Sequence, residues 1–272
     1  MTTTAMCRGW LIAIMILVLL GCDEANHEDK LMATKVQISA AEWQTLAKKQ
    51  VIFGHQSVGQ NILDGVKSLA ANANIDLPIT ESRTPAAGDG IVHFSIGHNK
   101  FPDSKFKDFT ETLENGLGNN ADVALMKLCY VDFKADTDVK LLADQYSTML
   151  ERLGRQFPHT IFVTVTTPLT TVQTGPIAWF KRSLGLVPDG YAENARRKEF
   201  NDLLRARYGQ QGRLFDLAKI ESEGYSVPDY QGRLIEVLNP ALTTDGGHLN
   251  TEGEKQVAAR LVKLLAALPS RR

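Results

Sequence analysis

Two kinds of apolar pattern alternate along this chain. Val51 to Phe53, Val123 to Leu128, Ile161 to Val165 and Leu214 to Phe215 are short apolar runs without polar alternation, which is how strands covered on both faces of a parallel sheet read. Between them, Val58 to Ala73, Val139 to Phe157 and Ala192 to Tyr208 have helical length and periodicity, and Thr251 to Leu268 closes the chain. Ser39-Ala40-Ala41-Glu42 reads as a capping box opening a helix through about Lys49, and Thr251-Glu252-Gly253-Glu254 as a second box opening the last helix. The β-α alternation predicts a three-layer α/β/α sandwich with a central, mainly parallel sheet and a site at the carboxyl ends of its strands.

Two stretches depart from the alternation and are long enough to be functional loops. Pro78 to Lys107 contains Gly88-Asp89-Gly90, a short strand Ile91 to Ser95 and then Ile96-Gly97-His98-Asn99-Lys100. Thr166 to Gly190 holds Pro168, Pro176 and Pro188 around Trp179-Phe180-Lys181-Arg182. Its aromatics beside cations read either as a substrate wall or lid, or as an apolar plug over the fold.

At the amino end, Arg8 precedes an apolar run from Trp10 to Leu20, too short for a comfortable membrane span and suited to a secretory signal. Leu19-Leu20-Gly21-Cys22 resembles the lipobox of bacterial lipoproteins, which implies cleavage before Cys22 and lipid on its thiol. The alternatives are an uncleaved anchor or an ordinary signal peptide. The expected organisation is a signal over 1–21, a polar tether over 22–37 and one domain over 38–272, carried in the bacterial cell envelope on a lipid anchor. Cys7 leaves with the signal and Cys22 is committed to lipid, so Cys129 stands alone, without a disulfide, either as an inert core thiol or lining a pocket. The remaining roughly 240 residues suffice for one large core. A net charge of −1 offers no basic field for nucleic acid.

The chemistry concentrates at two places. Asp245-Gly246-Gly247-His248 sets a carboxylate three residues before a histidine, a spacing that can orient one ring nitrogen and leave the other as a base. Val51-Ile52-Phe53-Gly54-His55-Gln56-Ser57-Val58-Gly59 runs a strand into a turn that presents Ser57 at the head of a helix. Taken singly, Ser57 reads also as an N-cap and His248 as a packed turn residue. His55 reads as a polar turn residue; His93 and His98 are five apart, which matches no zinc pattern. No phosphate-binding glycine loop is present, and neither metal nor cofactor is expected.

Ser57 after the first strand, with Asp245 and His248 before the final helix, resembles the SGNH, or GDSL-type, hydrolase superfamily, and Gln56-Ser57 is similar to the Gly-Gln-Ser-Asn block of its carbohydrate acetylesterase branch. The resemblance implies a flavodoxin-like α/β/α fold and a serine esterase in which Ser57 attacks, His248 moves the proton and Asp245 orients it. The substrate class it implies is an acyl ester, acetyl above all, of a carbohydrate or another small polar molecule. An O-acetyltransferase of the same fold, resolving the acyl-enzyme with a sugar hydroxyl, and a non-catalytic binding lipoprotein are the alternatives. The superfamily's oxyanion hole uses the serine N–H, a glycine after the second strand and an asparagine in a Gly-x-Asn-Asp block. Here Leu128-Cys129-Tyr130-Val131-Asp132 retains the acid but has Val131 at the asparagine position, and a valine side chain donates nothing. Gly97 is the counterpart of the family's glycine, and Asn99 either supplies the missing amide or is a turn residue.

Overall fold

The structure, a computed structural model, describes residues 36–85, 88–229 and 232–270. The signal, Cys22 and nearly all of the tether lie outside the described residues. Helix α1 (Ala40–Leu46) opens on the expected capping box: Glu42 N–H donates to Ser39 Oγ, and the Glu42 carboxylate accepts from Ser39 N–H at 2.7 Å. It stops at Leu46, three residues earlier than the pattern predicts.

Strand β1 (Gln50–His55) is buried throughout and leads into helix α2 (Val58–Asn72). Strands β2 (Ile79–Glu81) and β3 (Gly90–Ser95) follow, then helix α3 (Pro102–Glu114), strand β4 (Val123–Met126), helix α4 (Val139–Gln156) and strand β5 (Ile161–Val165). Helices α5 (Gly175–Ser183) and α6 (Tyr191–Tyr208), strand β6 (Leu214–Phe215), helix α7 (Leu217–Glu221), a hairpin of β7 (Ser226–Pro228) with β8 (Leu234–Glu236), and helix α8 (Thr251–Ala267) complete the order. The six-stranded sheet runs β2-β3-β1-β4-β5-β6 with every pair parallel.

Alternate residues of one strand feed opposite layers, as a pleated strand requires. Val51 and Phe53 of β1 and Val123 and Leu125 of β4 join the core under α1, α2 and α8. Ile52, Ala124 and Met126 join the core under α3, α4 and α6. The result is the three-layer α/β/α sandwich.

The stretch Pro78 to Lys107 is more ordered than its sequence suggests. Its strand is β3, paired with β1 along all six residues, and its last residues already belong to α3, because Pro102 is well placed in a first helical turn. The second box before α8 is corrected too. The cap is Asn250, whose side chain accepts from Glu252 and Gly253 N–H at 3.1 and 3.0 Å. At the other end of α8, buried Lys49 donates to the carbonyls of Leu265 and Ala266, satisfying acceptors that a helix terminus leaves open.

Candidate active site

Ser57 sits between β1 and α2 with φ 52° and ψ −112°, a sparsely populated positive-φ conformation that costs a non-glycine residue on the order of 1–3 kcal/mol. Two glycines make the turn possible. A Cβ on Gly54 would lie 2.7 Å from the Phe109 ring, and one on Gly59 would lie 2.4 Å from His55 Cβ. The serine does not cap α2; its hydroxyl lies 2.6 Å from His248 Nε2. His248 Nδ1 is 2.6 Å from Asp245 Oδ2, while Asp245 Oδ1 accepts from the N–H groups of His248 and Gly247 at 2.7 and 2.9 Å. These contacts, the His248 N–H first, hold the Asp245 carboxyl well below the usual carboxylate range. An ionised Asp245 keeps the proton on Nδ1 and leaves Nε2 to accept from Ser57.

The packing of two helices sets this alignment. A Cβ on Gly65 of α2 would meet the Glu254 carbonyl of α8 at 2.3 Å, so glycine there allows the helices to cross closely. Asn61 Nδ2 donates to Glu254 Oε1 at 2.9 Å. The turn carrying His248, just before α8, is thereby held over the turn carrying Ser57, just before α2.

Among the described residues the Ser57 N–H has no protein acceptor, and it lies at the amino end of α2, where the helix dipole favours negative charge. Gly97 does not match its expected part. Its N–H donates to Asp108 Oδ2 at 2.7 Å, so it is committed elsewhere. The glycine is needed for room: it has φ 44°, and a Cβ would lie 2.6 Å from the Lys105 backbone N. Its carbonyl, with that of Ile96, accepts from Gln56 Nε2 at 2.7 and 2.6 Å, which ties the turn carrying Ser57 to the β3–α3 loop.

Asn99 is on that same loop. Lys105 Nζ donates to Asn99 Oδ1 at 2.9 Å and to Asp132 Oδ2 at 2.6 Å, the ion pair being fully buried. An ammonium has only donors, so the Asn99 oxygen must face Lys105 and its NH₂ group must face away. Asp132 also accepts from Lys100 N–H at 2.8 Å and Cys129 N–H at 2.7 Å. The acid retained in the Cys129-Tyr130-Val131-Asp132 block therefore joins the loops after β3 and β4. Lys100, with φ 71°, and Ser57 are two of three non-glycine residues with positive φ among the described residues.

Tyr130 was not singled out by its sequence. Its ring meets the His248 imidazole edge-on with centroids 5.9 Å apart, and a Cβ on Gly247 would be 3.0 Å from its hydroxyl. Burial, then nearby Asp245, pushes the phenol up, opposed by the charge of Arg197, so it stays protonated at neutral pH. Arg197 Nε donates to the Tyr130 carbonyl at 3.2 Å and Arg197 Nη1 to Thr170 Oγ1 at 2.9 Å, fixing the loops after β4 and β5. The only local signal for Tyr130 is its place two residues before the retained acid.

His55 is not a turn residue but the buried last residue of β1, with Nε2 3.1 Å from His93 Nδ1. Burial, then Lys127 and His93, push it down to about 3. His98 lies apart, on the exposed loop. Cys129 is buried, with the equally buried Lys127 Nζ 3.5 Å from its sulfur. Among the described residues no group of three or more His, Cys, Asp or Glu side chains is arranged to hold a metal ion. A concavity of about 760 Å³ lies between α3 and α4 and contains none of Ser57, Asp245 and His248. The His248 and Asp245 side chains are 43% and 54% exposed, so the site opens directly to solvent.

No family model and no curated protein matches the chain. Similar solved structures include a protein described under the lipolytic G-D-S-L family from Desulfitobacterium hafniense (11% identity, TM-score 0.47, covering 79% of this chain and 99% of that one). TesA is similar at 9% identity and TM-score 0.46 over 80% and 98% of the two chains. The periplasmic domain of a lipopolysaccharide acetyltransferase from Salmonella ser. Paratyphi A is similar at 13% identity and TM-score 0.44, over 83% and 87%.

Proposed function

We propose that the protein is a serine ester hydrolase of the SGNH type, exported and held to a membrane through Cys22, acting on acyl esters of a carbohydrate or similar polar carrier. The observation that carries this reading is the unbroken chain of short contacts from Ser57 Oγ through His248 to Asp245. Ser57 Oγ bonds to the ester carbon while its proton passes to His248 Nε2. The carbonyl electron pair moves onto oxygen, where the Ser57 N–H and the Asn99 NH₂ stabilise it. When the intermediate collapses, the bond to the alcohol breaks and His248 returns the proton to the departing oxygen. Water then attacks the acyl-enzyme, giving its proton to His248, and Ser57 is released with the acid as product. Asp245 stays ionised throughout and stabilises the imidazolium.

The openness of the site favours an ester displayed on a large carrier over one that must be engulfed. It also admits a sugar hydroxyl in place of water, so transfer of the acyl group to an oligosaccharide is the second reading. The test is fluorophosphonate labelling and aryl-acetate hydrolysis by wild type, Ser57→Ala and His248→Ala. Labelling that survives Ser57→Ala overturns the nucleophile; absence of both labelling and hydrolysis in wild type leaves a binding protein. Supplying acetyl donor with oligosaccharide, and comparing acetylated sugar with free acetate, separates transfer from hydrolysis.

A further inference from the structure

Nine large apolar side chains are exposed among the described residues, and six of them fall within eleven consecutive positions: Ile177, Trp179, Phe180, Leu184, Leu186 and Val187. Scattered apolar exposure is ordinary, but such concentration marks an interaction surface. The segment is α5 and the turn after it. Only Ala178 of α5 is buried, and Trp179 is 71% exposed. At 3.6 residues per turn, Trp179, Phe180 and Ile177 spread over the face opposite Ala178, while Lys181 and Arg182 flank Ala178. Both cations reach back toward the domain: Lys181 Nζ lies 2.7 Å from Asp189 Oδ1, and the Arg182 guanidinium stands 5.0 Å over the Tyr191 ring.

We propose that α5 docks the rim of the active site onto a lipid surface. Aromatic and aliphatic side chains outward, with cations set behind them at headgroup depth, is the arrangement of a helix lying in a membrane interface. A second copy of the chain fits this face less well. Nine helical residues span about 14 Å, and a helix about 10 Å wide gives a footprint on the order of 150 Å², far short of the roughly 800 Å² per partner of a stable interface. The neck of the segment is tied to the site. Gln173 N–H donates to the Asp189 carbonyl at 2.9 Å, and Thr171 N–H to the Gly246 carbonyl at 2.8 Å, inside the Asp245 to His248 turn. Across Ser57, at the same end of the sheet, Phe101 is exposed on the β3–α3 loop. Docking therefore places the site at the lipid boundary, and it requires none of the ester chemistry assigned to Ser57.

The test uses the chain from Asp23 onward, which lacks Cys22 and the apolar run but keeps the compact unit Val36–Arg272. Its tryptophans are Trp43, which is buried, and Trp179, so a change in emission reports on α5. With phosphatidylcholine vesicles containing phosphatidylglycerol, the protein is expected to sediment with lipid and its emission to shift to shorter wavelength. W179A/F180A is expected to weaken partitioning at least about tenfold with unchanged thermal melting, and K181Q/R182Q to reduce the preference for anionic over neutral vesicles. Failure to sediment with either vesicle type overturns the proposal. So does a blue shift without lipid that grows with protein concentration, which would assign the face to self-association. Loss of esterase activity on soluble esters bears on the Ser57 reading alone.

Discussion

Replacing Lys105 by methionine is expected to reduce stability and turnover by routes that can be measured apart. In Lys105→Met the Asp132 carboxylate keeps its bonds from Lys100 and Cys129 N–H but loses its counter-ion at a point where both side chains are fully buried. Breaking a buried pair in this way costs about 3–5 kcal/mol. With a urea slope of about 2–3 kcal/mol/M, the unfolding midpoint falls by about 1–2.5 M. The second route runs through Asn99, whose carboxamide is oriented by Lys105 Nζ. An oxyanion donor contributes about 10²–10³ in kcat, so Asn99→Ala is expected to lose up to that factor with KM little changed. Lys105→Met frees the amide to turn and should lose a comparable factor in protein that circular dichroism shows to be folded. Because both substitutions remove the same donor, Lys105→Met/Asn99→Ala should be no slower than the slower single variant. Initial rates on an aryl acetate, normalised to fluorophosphonate-titrated sites, decide the matter. Losses that multiply, or wild-type kcat in Asn99→Ala, would refute the chain from Asp132 through Lys105 to Asn99.

Tyr130→Phe removes a phenol hydroxyl that lies against Gly247 in the turn carrying His248; a hydroxyl that bonds to the reacting ester is worth about 1–1.5 kcal/mol and predicts roughly a tenfold fall in kcat, and an unchanged kcat would make Tyr130 a wall only. His55 stays neutral in the folded chain, down to about pH 3, whereas the unfolded chain takes up its proton below about 6.5. The stability this difference carries is whole above pH 6.5 and is lost as pH falls, by about 2 kcal/mol at pH 5. The loss between pH 7 and 5 in urea titrations should therefore shrink by about that amount in His55→Leu, and equal losses in the two proteins would remove His55 as the cause. Gly59→Ala puts a methyl group onto His55 and should cost about 1–3 kcal/mol; a melting temperature equal to wild type would count against the crowding described for the nucleophile turn.

Local pattern alone determined which segments are strands and helices wherever burial is two-sided or periodic, because the register of apolar residues along one element depends only on that element's geometry. Hence β1, β4 and β5, and α2, α4, α6 and α8, lie within a few residues of where their sequences place them, and Ser57, Asp245 and His248 could be named as chemistry. Short signals misled where a competing group stood next door: Asn250 caps α8 in place of Thr251, and Pro102 begins a helix inside an expected loop. Tertiary structure decided what each polar group bonds to. The Gly97 N–H is taken by Asp108 from a helix, Lys105 is buried against Asp132 from another loop, and Tyr130 meets His248 across 118 positions of chain. Hydrogen bonds and ion pairs act over about 3 Å in space, so sequence can supply the donors and acceptors of this site, while only the folded chain selects their partners.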